Sequence, residues 1–360
     1  MINQKTNRSC YIDLIKFIFA VTIVLFHVSS ETHVFPGGRI AVEGFFMITG
    51  FLMMKTIEKQ QAPVEALGKD TVHFLWRKLS LLLPYLIPSA LIALIAHACF
   101  TKMAIVPFLK NISLLLFEVI PMKTEGFVGS YFIGISWYLS SMFLALMFLY
   151  PLCRKFGSKF ILSVGIPIVL MIYGYCSYKF GHIGIVEEWG EYLPFKTGSL
   201  RAIAGCLSGC ILYEAVNGLS KRELTRTGNV LFILLEAIGF GSFFFILQKY
   251  PHSKFDYLLV FVLFFLLLIG LSGTTWIGRK LKGLNLRWLG TWSTLFVLNH
   301  IYWIKIAKWI VEKTGTPNLF LLFYFLLIAI SSAVVWTVGK LLVLLGRKVL
   351  KALFRTAQKA

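Results

Sequence analysis

Charge is scarce in this chain of 360 residues: only 14% of positions are Asp, Glu, Lys or Arg. A soluble domain carries about a quarter, so a soluble globular enzyme is a poor reading. Acidic residues are scarcer still, 16 against 36 Lys and Arg, which leaves a formal charge of +20. There is no Gly-rich phosphate loop, no zinc-ligand spacing and no G-x-S-x-G elbow, so three common routes to catalysis lack their motif. The six cysteines, Cys10, Cys99, Cys153, Cys176, Cys206 and Cys210, include no C-x-x-C pair. Cys206 and Cys210 share a helix face, but no histidine or carboxylate spacing accompanies them. No metal site is expected, and the cysteines read as apolar fillers. Glu31-Thr32-His33 follows the first apolar segment where a signal peptide would have a small-residue cleavage site, so no cleavable signal is expected. Neither an internal repeat nor a long linker divides the chain.

What is abundant is apolar: 58% of residues are hydrophobic, and the mean hydropathy is +0.77. The expected fold is an all-α, polytopic transmembrane bundle in the cell (plasma or inner) membrane. Apolar runs at 11–29, 40–56, 79–99, 137–153, 160–177, 199–216, 229–248, 257–277, 288–309 and 318–345 predict about ten spans by the twenty-residue criterion. The stretch 105–122 is interrupted by Lys110 and Glu118 and reads as a re-entrant or surface helix. With this count and a cytoplasmic N-terminus, about 22 basic residues fall in inside segments and about 12 in outside ones. Counting 105–122 as a span would destroy that asymmetry. Both termini are therefore expected in the cytoplasm, and membrane insertion, not nucleic-acid binding, explains the positive charge. Residues 1–350 form the expected membrane domain and 351–360 a short basic tail.

Two segments concentrate ionisable groups. The first, from Tyr11, carries Asp13, Lys16 and His27. Lys16 and His27 are eleven residues apart, about three helical turns, so they share one face. Such groups survive in hydrocarbon mostly where they face a cavity, a partner or a substrate; the alternative for Lys16 is snorkelling to the membrane surface. The second segment reads Gly37-Gly38-Arg39, then Glu43-Gly44-Phe45-Phe46 and Thr49-Gly50-Phe51. Its spacing predicts an Arg39–Glu43 pair along a helix. Gly44, Thr49 and Gly50 would let a helix or a ligand approach the backbone closely. Together, Lys16-x10-His27 and GGR-x3-E-x-FF-x2-TGF resemble the start of the membrane-bound acyltransferase-3 family. That family usually opens on Arg-x10-His and continues G-V-[DE]-x-F-F-x-x-S-G-F. Lys16 and Thr49 are departures from its usual arginine and serine.

Later segments extend the resemblance. Ser136-Trp137-Tyr138-Leu139 is similar to its W-[YF]-L segment, although Trp137 and Tyr138 also suit an interfacial aromatic belt. The helix from Arg201 is similar to its R-x-x-x-[FG]-x-x-G; snorkelling is the alternative for Arg201. The run from Gly290 to His300 resembles its G-x-x-S-[YF]-x-x-[YF]-L-x-H helix. His300 is expected deep in its span, with a hydrogen-bond partner and a structural or site-lining role. At the third span the family's R-x-x-R-x-x-P becomes Lys78 and Leu81 before Pro84, so Arg77 or Lys78 must compensate for a missing arginine, or the donor differs. Glu236 belongs to no motif and reads as a helix-packing carboxylate.

The resemblance implies acetyl-CoA or another acyl-CoA as cytoplasmic donor substrate, no bound cofactor, and commonly a carbohydrate or lipid-linked glycan acceptor at the outer face. His27 is the expected general base, because an imidazole takes a proton near neutral pH; Glu43 is the second candidate catalytic residue. Lys16, Arg39, Arg77, Lys78, Trp137, Arg201 and His300 are the candidate donor- or substrate-binding residues. Partners are therefore acyl-CoA, the acceptor and membrane lipids. Two alternatives remain: an acyltransferase acting on a lipid or small metabolite, and a transporter or flippase for an anionic lipid-linked glycan. The latter lacks the inverted repeat and paired broken helices of many transporters.

Overall fold

The computed structural model describes residues 10–60, 66–111, 136–183, 196–222, 224–251, 255–281 and 284–357. Among these residues there are helices and no strand. In chain order they are α1 Cys10–Phe26, α2 Ser29–Thr32, α3 Ala41–Glu58, α4 Leu67–Thr101, α5 Ser136–Phe160, α6 Ile166–Phe180 and α7 Thr197–Leu219. Then come α8 Arg226–Lys249, α9 Asp256–Ser272, the short α10 Trp276–Leu281, α11 Arg287–Asn299, α12 Trp303–Thr314 and α13 Phe320–Ala357. The last helix runs past the expected end of its span at 345. Of the predicted surface helix at 105–122, residues 105–111 are helical and 112–122 lie outside the described residues.

Among the described residues, six helical stretches are long and apolar enough to cross a membrane: Gly38–Glu58, Leu67–Thr101, Trp137–Phe180, Thr197–Leu219, Arg226–Lys249 and Pro317–Lys348. Asp256–Ser272 is apolar but shorter. The stretch Trp137–Phe180 is not one straight rod. Cys153 lies against Cys210 and Ser158 bonds Glu214, after which Gly165 meets Leu207 and Tyr173 reaches Glu43. The chain thus advances along α7 up to Ser158 and then runs back. The reversal is at Gly157, with φ 55° and ψ −142°, a conformation that glycine adopts without a Cβ clash. The expected separate spans 137–153 and 160–177 correspond to the two arms.

Side-chain pairs orient the other long helices. Phe19 lies against Gly44 and Phe26 against Gly38, so α1 and α3 are antiparallel. Glu43–Arg201 and Glu58–Tyr213 make α3 and α7 parallel. Gly239–Leu266 and Gln248–Phe35 place α8, and Arg39–Asp256 and Tyr11–Gly270 place α9, in opposite directions. Pro84–Gly339 and Ser89–Asn299 set α4 against α13 and α11. Successive long helices therefore alternate, with one end of the bundle at Cys10 and the other at His27.

Small residues permit the closest contacts, as expected where lipid gives no hydrophobic drive between helices. A Cβ on Gly50 would lie 1.8 Å from the Cys206 carbonyl oxygen, and one on Gly209 2.0 Å from that of Met47. In α4, Pro88 has no N–H for the Pro84 carbonyl. That carbonyl oxygen lies 2.8 Å from where a Cβ on Gly339 would be, so a glycine there lets α13 come so near.

The expected continuous span 288–309 is corrected: it breaks after Asn299 into α11 and α12. The orphan carbonyls at such an end need donors. His300 Nδ1 takes the Val297 carbonyl at 2.8 Å, and Ser89 Oγ takes that of Leu298 at 3.1 Å. Asn299 anchors the break: its Oδ1 accepts from Ser89 at 2.9 Å and Tyr302 at 2.8 Å, and its Nδ2 donates to Leu295 at 2.8 Å. Side chains replace the missing helical turn.

Candidate functional site

A cavity of about 250 Å³ lies between α1, α3, α4, α5 and α11. Lys16, His27, Thr49, Lys78, Trp137 and Ser293 contribute its polar or aromatic groups, and aliphatic side chains such as Ile23, Val42 and Leu298 form much of the remainder. The single-face expectation for Lys16 and His27 therefore holds: both reach the same cavity from α1 and the turn after it. His27 follows the last residue of α1, and its backbone N–H still bonds the Ile23 carbonyl at 3.1 Å. The residue is exposed, with the cavity on one side of its ring and His300 on another. Lys16 and Lys78 are half-buried.

A second cavity, about 640 Å³, opens toward the Cys10 end. Lys59, His73, Arg77 and Lys78 line it together with Asp70 and Tyr150. Leu52, Lys78 and Leu81 border both cavities. Lys78 thus lines both a basic vestibule and the chamber holding His27. The site is built as two adjoining volumes, and the sequence position where an arginine was expected, Leu81, borders both.

Four candidates, Lys16, His27, Lys78 and Trp137, share the inner cavity; Arg77 lies in the outer one. The other four stand behind these walls. Glu43 is fully buried, and its Oε1 accepts from Arg201 Nε at 2.8 Å, with Nη2 2.7 Å away. Its Oε2 accepts from the Tyr173 hydroxyl at 2.6 Å. Arg201 in turn lies over the Trp137 ring, 5.6 Å from the ring centre. The Glu43–Arg201 pair therefore backs a cavity wall. The expected Arg39–Glu43 pair is not formed. Arg39 sits in the 3₁₀ turn Gly38–Ile40 before α3, where helical i,i+4 spacing has not begun, and it pairs with Asp256 at the start of α9. The snorkelling alternative for Arg201 also fails, since only 1% of the residue is exposed. His300 is fully buried directly behind His27; the ring centres are 4.9 Å apart, at 49°. Glu236 faces Tyr11 across the α1–α8 contact, in keeping with a packing role.

Thr49, Tyr138 and Ser293 line the cavity although none is among the candidate catalytic or binding residues. Their positions inside the motifs were visible, but which face of each helix meets the cavity is fixed by packing. Asn299 and Ser89, which hold the break beside His300, lie far apart in sequence and carry no joint signal. Among the described residues, no three His, Cys, Asp or Glu side chains cluster as a metal site would.

The acyltransferase-3 family model, described as an acyltransferase domain, matches residues 11–340. No curated protein and no solved structure matches the chain.

Proposed function

The chain belongs to the acyltransferase-3 family and is a multi-pass membrane acyltransferase, and from that premise we propose that it moves an acyl group, acetyl in the simplest case, from cytoplasmic acyl-CoA to a carbohydrate hydroxyl at the outer face. The observation that carries this reading is the pair of adjoining cavities that share Lys78. The outer one gathers Lys59, His73, Arg77 and Lys78, cations suited to the phosphates of a nucleotide. The inner one holds His27 and Lys16 in a largely apolar surround, suited to a thioester and its pantetheine arm.

The alternating helix directions support ten crossings with both termini on one side of the membrane, and the excess of basic residues in the segments on that side supports the cytoplasm. The basic vestibule is then on the cytoplasmic side and His27 toward the outside. Over eleven residues α1 rises about 16 Å, so donor and acceptor enter from opposite ends and meet near His27.

The chemistry follows from the groups present. An acceptor hydroxyl attacks the thioester carbonyl while His27 takes its proton. The carbonyl oxygen gains negative charge, which a low-dielectric cavity leaves to preorganised donors and cations to stabilise; Lys16 and Lys78 line the cavity on the donor's side. The C–S bond then breaks, the ester forms, and the proton held by His27 passes to the departing thiolate. Glu43 and Arg201 hold Trp137 in place. Arg39, tied to Asp256, fixes the entry of α3.

The test is acyl transfer itself. Membranes containing the protein, given radiolabelled acetyl-CoA without an ion gradient, should label a carbohydrate fraction. Absence of transfer with intact protein, together with gradient-dependent movement of a lipid-linked glycan, would favour transport instead.

A further inference from the structure

His300 is completely buried, and its two ring nitrogens have different surroundings. Nδ1 lies 2.8 Å from the Val297 carbonyl. A carbonyl only accepts, so Nδ1 carries the proton, and in the neutral ring Nε2 is left as a bare acceptor. Nε2 is buried and has no hydrogen-bond partner. Such an orphan costs free energy and calls for an explanation. The helix end at Asn299 explains Nδ1 and does nothing for Nε2.

The neighbouring ring is that of His27. Its centre is 4.9 Å away, a spacing that permits an in-line N–H···N contact of about 2.7–3.2 Å after a small turn of the His27 ring. His27 has room for that turn, because the cavity lies on its open side. A catalytic base is commonly oriented by a third group.

We propose that His300 is a positioning residue for His27: Nε2 accepts a hydrogen bond from one His27 ring N–H and so presents the other, unprotonated nitrogen to the cavity. The relay then reads Val297 carbonyl, His300, His27, acceptor hydroxyl. In the reaction the hydroxyl proton moves to the cavity-facing nitrogen of His27, which becomes an imidazolium. Its other N–H stays bonded to His300 Nε2, and the new proton is released to the thiolate of the departing CoA. His300 neither gains nor loses a proton. The inference rests on His27 being the base.

Two substitutions separate the nitrogens. In His300→Asn the amide Nδ2 replaces Nδ1 and keeps the bond to Val297, but nothing replaces Nε2. In His300→Gln the side-chain oxygen reaches the Nε2 position and restores an acceptor. Turnover of labelled acetyl-CoA is measured in membranes with matched protein amounts, alongside melting in detergent. His300→Asn should lower kcat at least about 10-fold with KM for acetyl-CoA within about twofold of wild type, and His300→Gln should recover to within about threefold. Wild-type kcat in His300→Asn, or equal losses in both variants, would reduce His300 to a helix cap. Failure of both variants to accumulate would do the same, by assigning the ring to folding. A fully active His27→Ala would remove the base and this relay together, whereas an inactive His27→Ala beside a fully active His300→Asn would remove the relay alone.

Discussion

Glu43→Ala removes a carboxylate that is fully buried and that holds Arg201 Nε at 2.8 Å and the Tyr173 hydroxyl at 2.6 Å. Arg201 is 1% exposed, so water cannot take over. Its contact with the Trp137 ring is worth about 0.5–2 kcal/mol and does not replace a carboxylate. Breaking one side of a buried pair costs about 3–5 kcal/mol, which for a chain of this size corresponds to a melting temperature lower by about 5–10 °C. Replacing both partners by apolar residues, Glu43→Leu with Arg201→Met, removes the buried charge as well as its counter-charge. Such replacements are often close to neutral, so the double variant should melt above either single variant. The assay is thermal unfolding in detergent, followed by tryptophan fluorescence and retained monodispersity. Acyl transfer should fall in Glu43→Ala and in the double variant, because Arg201 behind Trp137 loses its anchor in the first and is itself lost in the second. A Glu43→Ala protein melting within about 1 °C of wild type would refute the reasoning, as would a double variant whose loss equals the sum of the singles.

Gly50→Ala should sharply reduce accumulation, since its Cβ would meet the Cys206 backbone carbonyl at 1.8 Å; Gly218→Ala, with nothing within 4 Å, should be neutral or slightly stabilising in the same melting assay. Lys78→Ala should raise the KM for acyl-CoA about 10-fold or more with a smaller effect on kcat, because Lys78 borders both cavities. Lys16→Arg should keep substantial activity while Lys16→Ala loses it; matching near-wild-type kinetics in both would return Lys16 to snorkelling. A cysteine placed at Phe35 in a background without native cysteines should react with an impermeant reagent in intact cells, and labelling only after permeabilisation would overturn the topology.

Much of the architecture was legible because the signals were local. Apolar runs marked the helices, and helical spacing placed Lys16 and His27 on one face, which the shared cavity bears out. Gly44 and Gly50 announced close contacts, and both make them, with Phe19 and Cys206. The errors came from tertiary competition. Arg39 was matched to Glu43 by spacing alone, but the turn before α3 sends it to Asp256, 217 residues away, and leaves Glu43 to Arg201. The unbroken span through His300 failed for a similar reason. Hydropathy cannot register that Asn299, Tyr302 and a serine from α4 satisfy a helix end inside the bundle. The motif at Pro84 marks Arg77 and Lys78 as donor-binding candidates but not the rest of the vestibule: His73 stands one helical turn before Arg77 on α4, and Lys59, just past α3, lines the same cavity from elsewhere in the chain.

The central claim is that His27 is the base of an acyl transfer performed in the inner cavity. The most direct measurement is the rate at which membranes containing His27→Ala move a labelled acetyl group from acetyl-CoA to carbohydrate, at wild-type protein level. His27 contributes to the cavity and makes no side-chain hydrogen bond that α1 needs, so the variant should fold, and its rate should fall about 10²–10⁴-fold. Turnover within about twofold of wild type would contradict the account and require the proton to leave by another group.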